Sequence, residues 1–166
     1  MTQTLPPPVR LDVGDPFPAL SADLVGGGSL ILPHDARGAW SVVLFYRGDW
    51  CPYCRTQLAD FQRANDKYAE AGVKVFALSA DARGEAEQTV DRGNITFPVG
   101  YDLNPAAVAR SHGAFTGNDG DGAYLQATGF VLRPDGTVAL ALYSSGAVGR
   151  LTAADALGFV RYLTKH

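Results

Sequence analysis

Apolar positions along the chain switch between two periods, and each switch marks an element. Val42 to Tyr46 is an unbroken apolar run rich in β-branched and aromatic residues, which reads as a strand covered on both faces. Between Arg55 and Ala71 the spacing changes: Leu58, Phe61, Ala64 or Asn65, and Tyr68 recur every three or four residues, one apolar stripe of a helix, with Gly72 just past its end. Val73 to Ser79 is a second buried strand, separated from the first by the length of a helical crossover. The three elements form a right-handed βαβ unit.

On either side of this unit the signals are shorter. From Asp12 to Leu32, Gly14, Pro16, Pro18 and Gly26 to Gly28 predict mainly turns, with an edge strand at Ser29 to Leu32, and a polar loop with a surface His34 follows to Trp40. Asp81 is a candidate N-cap for a helix over Gly84 to Arg92, which Gly93-Asn94 ends. Ile95 to Val99 reads as extended, and Asn104-Pro105 opens a short helix to about His112, a basic side chain suited to that helix end. Gly113 to Gly122 reads as a loop whose Asn118, Asp119 and Asp121 lack the spacing and terminal Glu of a calcium loop. Leu125 to Leu132 and Thr137 to Tyr143 form a hairpin around Arg133-Pro134-Asp135-Gly136, and Thr152-x-x-Asp155 caps a last amphipathic helix. The sum is an α/β fold, a central mixed β-sheet with helices on both faces.

Composition narrows the function classes. The 166 residues suit one domain, taken as 11–166 behind an extended arm at 1–10 that contains Pro6 to Pro8. A net charge of −3 without a basic stripe gives nucleic acid nothing to bind. No apolar stretch reaches the roughly 18 residues of a membrane span, and MTQTLPPPVRLDVGD has no apolar leader core. The 2 cysteines lie three positions apart, so disulfide stapling does not hold this fold, which fits a reducing cytoplasm.

Those cysteines carry the chemistry. Pro52 favours the first helical position, which makes Cys51 the N-cap and Cys54 the third helical residue. In that register the Cys51 sulfur faces free backbone N–H groups and the positive end of the helix dipole, which can lower a thiol pKa from about 8.5 to roughly 3.5–7.5. The non-helical dihedrals of an N-cap also let the two sulfurs approach, so a reversible Cys51–Cys54 disulfide is expected. Half a zinc site or two inert buried thiols are the other readings, though a closed zinc site needs four ligands and His34, His112 and His166 are scattered. Arg47 and Arg55 bracket the motif and either guanidinium can stabilise a thiolate. Asp49 opposes it or pairs with an arginine, and Trp50 and Tyr53 can wall the site from water. Neither metal nor cofactor is expected.

Asp49-Trp50-Cys51-Pro52-Tyr53-Cys54 is similar to the active-site motif of thioredoxins and glutaredoxins, and the element order resembles the thioredoxin fold. The peroxiredoxin branch, the alkyl hydroperoxide reductase and thiol-specific antioxidant family, is resembled by Val13-Gly14-Asp15-Pro16-Phe17-Pro18, Phe45-Tyr46, Phe97-Pro98 with Asp102, and Phe130-Val131-Leu132 with Asp135-Gly136. The likeness spans about Leu11 to Leu163 and implies a thioredoxin-like fold with an N-terminal extension of peroxiredoxin type. Laid on that family's pattern, the peroxidatic cysteine falls on Cys54, its threonine on Cys51, its proline on Arg47 and its distant arginine near Ala127, so only the cysteine is kept. The cis proline of thioredoxins is replaced by Thr128-Gly129. The resemblance implies a thiol-dependent peroxidase that reduces hydrogen peroxide or alkyl hydroperoxides, with a thioredoxin- or glutathione-type reductant and, as is common there, a homodimer. Helix-end physics puts first attack on Cys51, whereas the family alignment puts it on Cys54. A thioredoxin-like disulfide oxidoreductase is the alternative, and a scaffold with an idle dithiol the third.

Overall fold

In the computed structural model, residues 9–120 and 122–165 are described; residues 1–8, which make up most of the arm expected over 1–10, lie outside them, as do Asp121 and His166. Two short antiparallel strands open the fold, β1 (Leu20–Leu24) and β2 (Ser29–Leu32), followed by a 3-10 turn at His34–Ala36. The buried run forms β3 (Ser41–Phe45), which leads into α1 (Pro52–Arg63) and α2 (Asn65–Ala71) and back to β4 (Lys74–Leu78), parallel to β3. Next come α3 (Arg83–Gly93), β5 (Val99–Tyr101) and α4 (Pro105–His112). A small hairpin of β6 (Thr116–Asn118) and β7 (Ala123–Leu125) precedes β8 (Thr128–Leu132), β9 (Val138–Tyr143) and α5 (Ala153–Lys165).

Seven of these strands make one mixed sheet in the order β2-β1-β5-β4-β3-β8-β9. β3 lies at its interior, parallel to β4 and antiparallel to β8, with Val43 opposite both Phe76 and Phe130. Alternation then divides its side chains between two cores. Val42, Leu44 and Tyr46 pack with Leu58 and Phe61 of α1, Tyr68 of α2, and Ala156, Leu157 and Val160 of α5. Val43 and Phe45 meet Phe17, Val108 of α4, Leu125 of the hairpin and Phe130 on the other face. Each such side chain taken from water contributes roughly 1.5–3 kcal/mol, so a strand with all five residues buried is the natural anchor of the fold.

Several expectations need correction. The Asp12–Leu32 segment holds β1 as well as β2, because Gly26, Gly27 and Gly28 take positive φ and form the turn between them. The apolar stripe of residues 55–71 belongs to two helices, since Ala64 (φ −87°, ψ 3°) breaks the chain between α1 and α2 while both keep facing one core. Asp81 is not the N-cap of α3; Ala82 holds that position without a side-chain bond. The 113–122 loop contains a strand pair, with Gly117 opposite Tyr124. His112 does not act as a charged helix cap. It is fully buried, edge-on to Phe17 and Phe45, with Nε2 donating to the Pro18 carbonyl at 3.1 Å, and burial holds its pKa below the ordinary value.

Candidate active site

The end of β3 and the start of α1 set the cysteines. Cys51 is the N-cap of α1 (φ −90°, ψ 115°), Pro52 is in the first turn, and the Cys51 sulfur accepts from the Cys54 backbone N–H at 3.4 Å. Asn104 repeats the arrangement at α4, where it accepts from the Ala107 N–H. The loop between β3 and α1 is held from below: the Asp49 N–H donates to Asp81 Oδ2 at 2.8 Å, and Arg55 Nε donates to the Asp49 carbonyl at 2.7 Å.

Two guanidinium groups reach the sulfurs, one from just before the motif and one from 99 positions beyond Cys51. Arg47 Nη1 lies 3.6 Å from Cys51 Sγ, and the Arg47 backbone N–H donates to Cys54 Sγ at 3.2 Å. Arg150, in the loop between β9 and α5, directs Nη2 at both sulfurs, 3.5 Å from Cys51 and 3.1 Å from Cys54. Gln57 of α1 fixes that loop: its Oε1 accepts from Arg150 Nη1 at 2.8 Å and its Nε2 donates to the Leu151 carbonyl at 2.9 Å.

This setting divides the pair. Burial pushes the Cys51 thiol up, but hydrogen bonds from the Cys54 side chain and backbone and from Arg47, with the charge of Arg150, outweigh it and bring its pKa below the ordinary thiol value. For Cys54, burial and the hydrogen bond to Cys51 dominate over Arg150 and the Arg47 N–H, and its pKa is pushed up to about 11. The arrangement therefore favours a thiolate at Cys51 beside a protonated thiol at Cys54.

A helix N-cap ordinarily leaves its side chain the more exposed of such a pair, but Cys51 is 0% exposed and Cys54 1%. The cover over them is polar and aromatic. Arg47 lies between the Trp50 and Tyr124 rings, 4.9 and 5.1 Å from their centroids, and Trp50 meets Tyr124 edge-on at 5.0 Å. A cleft of about 260 Å³ adjoins this cover, lined by Arg47, Trp50 and Tyr124 on one side and by Asp81 and Glu85 on the other.

The other candidate residues fall apart from the sulfurs. Arg55 is spent on the Asp49 carbonyl. Asp49 pairs with neither bracketing arginine; its carboxylate accepts from Arg92 at 2.6 Å and from Thr89 at 2.9 Å. Thr128 donates to the Gln126 carbonyl at 3.0 Å, and Tyr53 is exposed. Arg150 and Tyr124 carried no signal in the sequence, for each lies in a distant element and only folding brings it to the motif, whereas Gln57 sits one turn past Cys54 on α1 and only its partner Arg150 is hidden from the sequence. Among the described residues no cluster of three or more His, Cys, Asp or Glu is placed to hold a metal ion, and no helix is long and apolar enough to cross a membrane.

The comparisons with known proteins bear on the same frame. The alkyl hydroperoxide reductase C of Staphylococcus haemolyticus is 29% identical over 136 residues, 80% of this chain and 71% of that protein. A peroxiredoxin of Treponema denticola is 30% identical over 144 residues, 83% of this chain and 67% of its own. Among solved structures, peroxidoxin BcpB of Mycobacterium tuberculosis superposes with a TM-score of 0.79 at 19% identity, covering 93% of this chain and 99% of that one. AhpC of the same organism gives 0.77 at 20% identity, covering 94% of each chain. These two fix the fold as the thioredoxin-like one of peroxiredoxins. The profile of the AhpC/TSA family matches residues 13–141, from the turn before β1 into β9, and with the two relatives it establishes that this chain belongs to the AhpC/TSA, peroxiredoxin-like family.

Proposed function

We propose that the chain is a thiol-dependent peroxidase that reduces hydrogen peroxide or alkyl hydroperoxides through Cys51 and Cys54. The observation that carries this reading is the pairing of an N-cap sulfur, stabilised as thiolate, with two guanidinium groups within 3.6 Å. The Cys51 thiolate attacks the terminal peroxide oxygen. An S–O bond forms as the O–O bond breaks, the sulfur gives up two electrons, and the alkoxide leaves and takes a proton from water. Arg47 and Arg150 donate to the oxygens as negative charge shifts onto them, the task that Thr and Arg perform in the family pattern this chain lacks. Cys54, holding its proton until then, attacks the sulfenic sulfur; an S–S bond forms and hydroxide departs as water with the Cys54 proton.

Two electrons from an external thiol, of thioredoxin or glutathione type, return the disulfide to the dithiol. A cytoplasmic setting, where such thiols are kept reduced, and a homodimer complete the proposal. Mixing reduced protein with one equivalent of hydrogen peroxide or of an alkyl hydroperoxide tests it. Loss of both thiols far faster than for a free thiol is expected, and loss at the rate of a free thiol would overturn the reading.

A further inference from the structure

The β6–β7 hairpin has no part in the core pairing of the main sheet, yet it sends one side chain to the dithiol. Tyr124 Oη accepts from Arg47 Nη2 at 3.1 Å while the same guanidinium presents Nη1 to Cys51 Sγ at 3.6 Å. The Tyr124 ring packs edge-on against Trp50, so the guanidinium is confined between two aromatic faces and anchored at its far nitrogen. Its reach is what matters. A free arginine side chain exchanges among many rotamers, whereas one held at Nη2 keeps Nη1 at the sulfur.

The hairpin is built to let the tyrosine lie there. Tyr124 pairs with Gly117 across the strands, and a Cβ at Gly117 would stand 2.5 Å from the Tyr124 Cζ and hydroxyl and 2.7 Å from Cε2. Any side chain at residue 117 displaces the ring. Backbone strain is not the reason for this glycine, since its φ lies outside the positive range.

We propose that Tyr124 is a positioning residue of the peroxidase reaction, holding the Arg47 guanidinium against the Cys51 sulfur, and that Gly117 is the glycine that makes room for it. The role rests on the function proposed above, but the placement of Arg47 does not. The groups that face the Cys51 sulfur are Arg47, Arg150 and Cys54, with Tyr124 behind Arg47 and with Asp81, Glu85 and Asp119 around the adjoining cleft. Of these, Arg47 is the one that Tyr124 holds by a hydrogen bond.

The test uses the full chain carrying Cys54→Ser, so that the thiolate absorbance near 240 nm reports Cys51 alone. Loosening the opposite charge raises a thiol midpoint, and with Arg47 still nearby the expected rise in Tyr124→Phe is roughly half a pH unit. Gly117→Ala, which keeps the hydroxyl and shifts the ring, should give the same rise. The rate of peroxide reaction below the midpoint should fall by at least roughly threefold in both, as the smaller thiolate fraction requires, and stay below the parent's above it, since a displaced Arg47 also loses its place at the peroxide oxygens. Midpoints equal to the parent's in both folded variants would overturn the proposal. If the parent titrates low but consumes no peroxide, the peroxidase reading fails while the Tyr124 assignment is still decided by the midpoints.

Discussion

At Cys51 desolvation and hydrogen bonding act in opposite senses, and four donors around one sulfur, the Cys54 thiol and backbone N–H, Arg47 and Arg150, decide the contest for the thiolate. Substitution of the two cysteines should therefore give unlike results. Cys51→Ser removes the nucleophile and is expected to reduce peroxide consumption to that of a blank. Cys54→Ser keeps a hydroxyl able to donate to Cys51, so one equivalent of peroxide is still consumed and a sulfenic acid accumulates, detectable by dimedone labelling and mass spectrometry. Cys54→Ala lacks that donor, and its Cys51 midpoint should lie above that of Cys54→Ser by ultraviolet titration. If Cys54→Ser consumed no peroxide and Cys51→Ser formed the sulfenic acid, the first attack would belong to Cys54.

Between elements, the site depends on one glutamine. Gln57 ties α1 to the loop before α5 through Arg150 and the Leu151 carbonyl, and it is only 7% exposed. Gln57→Leu leaves that carbonyl without its partner, a cost of about 1–3 kcal/mol, or roughly 2–4 °C of Tm per kcal/mol for a domain of this size. It also frees Arg150, whose charge opposes the rise at Cys54, so the Cys54 titration should move higher still and disulfide closure should slow. Tyr68 makes a second tie, its hydroxyl donating to the Ala153 carbonyl at 2.7 Å beneath α5. Tyr68→Phe should lower stability by about 1–3 kcal/mol in urea unfolding without altering either thiol titration. These ties also show what the sequence conveys. The N-cap at Cys51 followed from the adjacent Pro52, and β3, β4 and the last hairpin from runs of apolar residues. Arg150 lies 96 positions from Cys54, and no periodicity or local spacing connects them. β1 was hidden by the reverse cause, a short half-buried pattern set among turn residues.

For the molecule as a whole, two buried groups set opposing responses to acid. Asp81 has its pKa raised to about 7 by burial first and then by the hydrogen bond with Glu85, against the pull of the Asp49 N–H. Its folded value lies above the unfolded one, so its contribution to stability is complete below the ordinary carboxylate range and is lost as pH rises through about 7. His112 is the reverse case. Burial holds its pKa below the unfolded value, so its contribution is present above about 6.5 and is lost as pH falls through the folded value. Between pH 5 and 7 the two trends oppose each other, and the wild-type unfolding temperature should change in a sense between those of proteins keeping only one of the two groups. Asp81→Asn, whose amide oxygen can still accept from the Asp49 N–H, removes one of them, and Tm should then fall as pH is lowered from 7 to 5. His112→Gln removes the other, and Tm should rise over the same interval, from a lower starting point because the contact with Pro18 is weakened. Thermal unfolding of the three proteins across that range checks both signs together, and parallel curves would show that neither group is titrating inside the fold.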